Sequence, residues 1–254
     1  MESPIVVNGC AIHRFGAGSP VVCVPAFADA VESWQSLVTA LSLHRHEVAV
    51  IELPGFGVAP PPAHPLEIAS AADRVVDAVR RCWGQPVTLV GHSLGSVIAV
   101  RAAQQLAEGC AALISLEGNL TEEDAYWSSR ATRYDDALAF KSDFCAMVHE
   151  LVTAGRAPAS YWRAVQAADA ECMWRLGRDV ATRGSGGSLG AEFCRLGVSR
   201  GYLWAASTTP IATQDYLREH ELPNVRLVAE HHWPWTIDAQ TVANEIAKLA
   251  APTK

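Results

Sequence analysis

Short, dominantly apolar runs at residues 21–24 (Val-Val-Cys-Val), 48–51 (Val-Ala-Val-Ile), 87–90 (Val-Thr-Leu-Val) and 111–116 (Ala-Ala-Leu-Ile-Ser-Leu) alternate with segments of helical periodicity. Strands that read this way are buried on both faces, the condition of a parallel sheet covered by helices on either side. The intervening segments supply the covers. Trp34, Leu37, Val38 and Leu41 repeat on one helical side, with Ser33 placed to cap them. Ile68, Ala72, Val75, Val76, Val79 and Trp83 form a second core-facing stripe. This order predicts an α/β fold with a doubly wound, mostly parallel sheet. A hairpin should precede it, residues 4–7 and 10–15 flanking an Asn8-Gly9 turn. Two later strands are expected at residues 202–206 and 225–228, before a closing helix that carries Val242, Ile246 and Leu249.

Between residues 121 and 200 the strand rhythm stops, while Tyr126, Trp127, Tyr134, Phe140, Phe144, Tyr161, Trp162, Trp174 and Phe193 fall in helix-like sequence. The expected organisation is a core of residues 1–120 and 201–254 with a helical cap, residues 121–200, inserted into it. Gly184-Ser185-Gly186-Gly187-Ser188 lacks the Lys-Ser/Thr and the preceding strand of a phosphate loop, so it reads as a flexible connector.

Half of the 254 residues are hydrophobic, enough to bury a sizeable core. A net charge of −7 without a basic run argues against nucleic acid or an anionic membrane as partner and leaves a small molecule. The seven cysteines, Cys10, Cys23, Cys82, Cys110, Cys145, Cys172 and Cys194, are odd in number and lack C-x-x-C spacing. They read as reduced core thiols in a cytoplasmic protein. Glu2 and Arg14 interrupt the continuous apolar core that a signal peptide needs, and no segment reaches membrane-spanning length, so export is not expected. His44-x-His46 lacks a third ligand at suitable spacing; neither a metal nor a cofactor is expected.

The sharpest chemical feature is Gly91-His92-Ser93-Leu94-Gly95, set between the apolar run at 87–90 and helix-like residues 96–106. A serine held in a sharp strand-to-helix turn needs glycine two positions to either side, because larger side chains would strike the neighbouring strand and helix. Its hydroxyl then projects above the sheet edge as a nucleophile, and the Leu94 amide lies at the positive end of the following helix.

Together with Pro25-Ala26-Phe27, Glu52-Leu53-Pro54-Gly55-Phe56-Gly57 and His231-His232-Trp233-Pro234, this turn makes the chain resemble the α/β-hydrolase superfamily over most of its length. The resemblance implies a nucleophile, acid and base in the order Ser, acid, His. His232 falls on the general-base position and His231 on that of the usual glycine, with the adjacent pair leaving His231 as the alternative. The chemistry requires such a base, since a serine hydroxyl is a poor nucleophile until a group of near-neutral pKa takes its proton.

Family members usually supply the orienting acid just after the seventh strand, but here that place reads Ala205-Ala206-Ser207-Thr208-Thr209-Pro210, with no acid until Asp215. A minority of the superfamily, including many haloalkane dehalogenases, carries it after the sixth strand, where Glu117 follows Leu113-Ile114-Ser115-Leu116. Glu117 is therefore the preferred acid, with Asp215 and Asp124 as alternatives. Glu122, Glu123 and Asp124 also have a simpler role in the first turn of a helix capped by Thr121.

Relatives with His-Gly-x after the third strand donate the amide of x to the oxyanion, which implies Phe27, with Leu94 as the second donor. Pro25-Ala26 replaces that His-Gly and removes the freedom of its glycine. The expected function is hydrolysis of a carboxylic ester or thioester through an acyl-enzyme, with Phe27 and Trp233 contacting an apolar or aromatic acyl group. The same residues could serve an acyl-transferring cyclase that forms a lactone or lactam, or a carbon–carbon bond hydrolase. A serine nucleophile speaks against dehalogenase and epoxide hydrolase chemistry. The rival from another class is a non-catalytic ligand receptor that keeps the hydrolase shell.

Overall fold

The computed structural model describes residues 3–184 and 187–250. Ser185 and Gly186, in the middle of the expected glycine-rich connector, lie outside them. Eight strands form one sheet: β1 (Ile5–Val7), β2 (Cys10–Gly16), β3 (Ser19–Val24), β4 (His46–Glu52), β5 (Val87–His92), β6 (Cys110–Leu116), β7 (Ser199–Ala205) and β8 (Asn224–Leu227). Their order is β1-β2-β4-β3-β5-β6-β7-β8. The β1/β2 and β2/β4 pairs are antiparallel, and every pair from β4 to β8 is parallel. Asn8 and Gly9 both take positive φ, 46° and 81°, which lets the chain turn back in two residues.

The covering helices follow from the apolar stripes. Helix α1 (Gln35–Leu43) packs on α9 (Ala239–Ala250), while α2 (Ile68–Cys82) packs on α3 (Leu94–Leu106), so the sheet is doubly wound. On α2, Ile68, Ala72, Val75, Val76 and Val79 are all buried, each larger aliphatic contributing about 1.5–3 kcal/mol relative to exposure. The α1 start differs from expectation. A short 3-10 turn, Val31–Trp34, precedes the helix, and Ser33 gives its hydroxyl to Asp29 at 2.7 Å instead of capping α1. Strand β8 stops at Leu227, leaving Val228 exposed beyond it.

Between β6 and β7 the described residues hold only helical elements: 3-10 turns at Glu122–Ala125 and Ser128–Arg133, then α4 (Ala137–Thr153), α5 (Ala159–Ala167), α6 (Ala170–Gly184) and α7 (Ser188–Cys194). Phe140, Phe144, Tyr161 and Phe193, four of the nine aromatic residues of this segment, are buried there. Helix α8 (Ile211–Glu219) joins β7 to β8. All seven cysteines are free. No described helix is long and apolar enough to cross a membrane, and no group of three or more His, Cys, Asp or Glu side chains among the described residues is arranged to hold a metal.

Candidate active site

Strand β5 ends at His92, α3 begins at Leu94, and Ser93 makes the turn between them at φ 51°, ψ −127°. A non-glycine residue in that region is strained by about 1–3 kcal/mol and persists only where its surroundings fix it. The flanking glycines show what fixes it. A Cβ on Gly91 would stand 2.5 Å from Ser96 Cα in α3, and one on Gly95 would stand 2.3 Å from the Val24 and Pro25 carbonyl oxygens at the end of β3. The helix start is thereby pressed against the β3 end.

Ser93 and His232 line one cleft, together with Ala26, Phe27, Asp124, Tyr126, Trp127, Ser128, Tyr161 and Trp233. About 320 Å³ of space free of protein atoms, continuous with solvent, lies along these walls.

Glu117 follows β6 at φ 49°. It is buried, and its Oε2 stands 3.5 Å from His232 Nδ1. Oε1 accepts the Ala205 amide at 2.6 Å, and Oε2 accepts the hydroxyls of Thr208 at 2.9 Å and Thr209 at 3.1 Å. The carboxylate is thus clamped from the end of β7. His232 Nδ1 has no hydrogen-bond partner among the described residues; Glu117 at 3.5 Å is the charged group that faces it, while the rings of His92, Trp127 and Trp233 pack around the imidazole. Catalytic contacts of this kind are often long in unliganded enzymes and tighten as the ring takes a proton. His231 points elsewhere: its Nδ1 accepts the Trp233 amide at 3.3 Å and its Nε2 meets Thr236 Oγ1 at 3.2 Å. Asp215 is half-exposed and ion-paired with Arg218 at 2.9 Å. Asp124 lines the cleft, but its carboxylate closes a capping box with Thr121 and accepts the Thr213 hydroxyl from α8.

Several supporting groups carry no sequence motif. Thr208 and Thr209 are one such pair; the signal was the place they occupy, where many relatives carry their acid. His92 is fully buried and its Nε2 donates to the His232 carbonyl at 2.7 Å. Burial holds its pKa well below the ordinary imidazole range, so it is a neutral strut. Asp29 is also buried and accepts from Ser33, the Ala30 amide and Trp233 Nε1, the last at 3.2 Å. Burial pushes its carboxyl up to about 6, against those donors. Tyr161 donates to the Phe27 carbonyl at 2.9 Å, while the Phe27 ring packs on Phe140 and Phe144. Glu52, from the Glu-Leu-Pro-Gly-Phe-Gly segment, is a brace, accepting from His13 and the amides of Val31 and Val58.

Residues 19–194 match the family model described as the alpha/beta hydrolase fold. The chain belongs to the α/β hydrolase family. Over 93 residues it is 39% identical to Polyketide synthase ThaQ of Burkholderia thailandensis, a match that covers 36% of this chain and 4% of that protein. Among solved α/β structures it superposes on an esterase from Exiguobacterium antarcticum with a TM-score of 0.76 and 13% identity, covering 98% of this chain and 99% of that one. It superposes on the thioesterase domain from the curacin biosynthetic pathway with a TM-score of 0.71 and 15% identity, covering 98% and 99%. At such identities these two likenesses speak for the fold.

Proposed function

We propose that this α/β hydrolase cleaves a carboxylic ester or thioester through an acyl-enzyme on Ser93. The observation that carries the proposal is the meeting of Ser93, in its strained turn, with His232 in one cleft while Glu117 stands 3.5 Å behind the ring. His232 takes the Ser93 proton as the oxygen bonds to the acyl carbon, and the imidazolium is stabilised by Glu117. The amides of Phe27 and Leu94 receive the developing oxyanion. Collapse breaks the bond to the alcohol or thiol, which leaves with the proton from His232. Water, deprotonated by the same ring, then attacks the acyl-enzyme; the acid departs and the proton returns to Ser93.

The walls formed by Phe27, Tyr161 and Trp233 support an apolar or aromatic acyl group. The unbridged thiols support a cytoplasmic setting. A panel of p-nitrophenyl esters and acyl thioesters tests the activity. Turnover, with an acyl adduct on Ser93 found by mass spectrometry, is expected; tight binding of intact ester with no turnover and no adduct would instead favour a receptor.

A further inference from the structure

Asp124 is the only carboxylate among the described residues that line the cleft, and its hydrogen bonds are lopsided. All four run to Oδ2: from the amides of Leu120 at 2.9 Å and Thr121 at 2.8 Å, and from the hydroxyls of Thr121 at 3.2 Å and Thr213 at 2.6 Å. These bonds brace the turn that starts the inserted segment, and they occupy one oxygen. No donor among the described residues reaches Oδ1. No lysine or arginine pairs with this carboxylate either, and burial, opposed by the four donors, moves its pKa upward. A capping role accounts for Oδ2 and leaves Oδ1 open as an acceptor, on a partly buried group that lines the same cleft as Ser93 and His232.

The neighbouring walls narrow what Oδ1 could take. Tyr126, Trp127, Tyr161 and Trp233 line the same space. Trp127 lies 5.9 Å from both the His232 and Trp233 ring centroids, and Tyr161 lies 4.5 Å from Trp233. A carboxylate oxygen beside several aromatic rings is the combination that holds an alkylammonium, through charge and the electron-rich ring faces, with an N–H bond added where the nitrogen carries hydrogen. A neutral hydroxyl would use only the hydrogen bond. The net charge of −7 also favours approach of a cation over an anion.

We propose that the cleft selects esters bearing an alkylammonium group, on the acyl or the alcohol side, held between Asp124 Oδ1 and the aromatic wall. This rests on the ester or thioester hydrolase reading above. Charge-assisted bonds of this type correspond to about a 10- to 100-fold preference in kcat/KM.

Two isosteric pairs test it, one for each side of the scissile bond. The first is p-nitrophenyl β-alaninate against p-nitrophenyl butyrate, an ammonium replacing a methyl on the acyl chain. The second is acetylcholine against 3,3-dimethylbutyl acetate, a cation replacing a neutral group on the alcohol. At least one pair should favour its cationic member about tenfold or more. Asp124→Asn, which keeps an acceptor for the capping bonds, should cut that preference at least fivefold. Near-equal kcat/KM within both pairs, or a preference that Asp124→Asn leaves intact, overturns the proposal. Should that variant fail to fold, inhibition of the wild-type protein decides: butylammonium must inhibit butyrate hydrolysis at least tenfold more strongly than 1-pentanol, and equal inhibition overturns the proposal. Hydrolysis of the neutral esters without cation preference removes this inference alone, whereas failure to hydrolyse any ester removes the reading beneath it.

Discussion

Glu117 shows how a single side chain can be placed by residues remote in sequence. Its carboxylate lies 3.5 Å from His232 Nδ1 only because Ala205, Thr208 and Thr209 hold both oxygens from the end of the neighbouring strand. The two threonines steady the carboxylate across the sheet edge from the end of β7. Replacing both with valine, Thr208→Val with Thr209→Val, removes two hydrogen bonds to Oε2 and loosens the carboxylate behind the imidazole. Ester hydrolysis by that double variant should fall by about tenfold or more in kcat, at about 1 kcal/mol per lost bond, with KM little changed. Wild-type kcat in steady-state assays would show that the threonines do not position the acid. Ser93, His232 and Glu117 were legible as candidates because each stands in a short motif or at a strand end. Thr208, Thr209 and Asp29 were not, since their partners lie 91, 92 and 204 residues away and local pattern carries no such information.

At the scale of elements, the cleft is assembled by loops that grip one another. Asp29, after β3, accepts Trp233 Nε1 from the segment between β8 and α9, and Trp235 Nε1 in turn donates to the Ser33 carbonyl at 2.7 Å. Tyr161 of α5 donates to the Phe27 carbonyl, fixing the loop that carries the proposed oxyanion amide to the helices above it. Burial raises the Asp29 carboxyl from 3.8 to about 6, which makes this joint pH-sensitive. A raised acid binds its proton more tightly in the folded state, so its contribution to stability is complete below about pH 4 and is lost as pH rises through about 6. Two pKa units correspond to about 3 kcal/mol at most. Asp29→Asn cannot ionise, so its melting temperature relative to wild type should rise between pH 4 and pH 8. A difference between the two proteins that stays constant over that range, measured by calorimetry in matched buffers, would contradict this account of the joint. The start of α1 belongs to the same scale: Ser33 looked like a helix cap because capping chemistry is local, whereas the buried carboxylate that captured its hydroxyl was visible only in three dimensions.

For the molecule as a whole, the alternation of apolar runs and helical stripes was enough to specify a doubly wound, mostly parallel sheet, because burial on both faces leaves strands no other pattern. Strand order was not legible in the same way; β4 sits between β2 and β3 through crossovers that no run of residues encodes. Which aromatic rings line the cleft was equally hidden. Aromatic residues between 121 and 200 suggested a lined pocket, yet Phe140, Phe144 and Phe193 are buried and are not among the residues that line it; Tyr126, Trp127 and Tyr161, with Trp233, are. The proposed chemistry depends on one oxygen, that of Ser93, activated by one ring, that of His232. The most direct measurement is therefore labelling of the folded protein by a fluorophosphonate, with the modified residue located by mass spectrometry. The account predicts a single stoichiometric adduct on Ser93, absent in Ser93→Ala and formed far more slowly in His232→Ala; labelling that misses Ser93, or proceeds equally fast without His232, would contradict it.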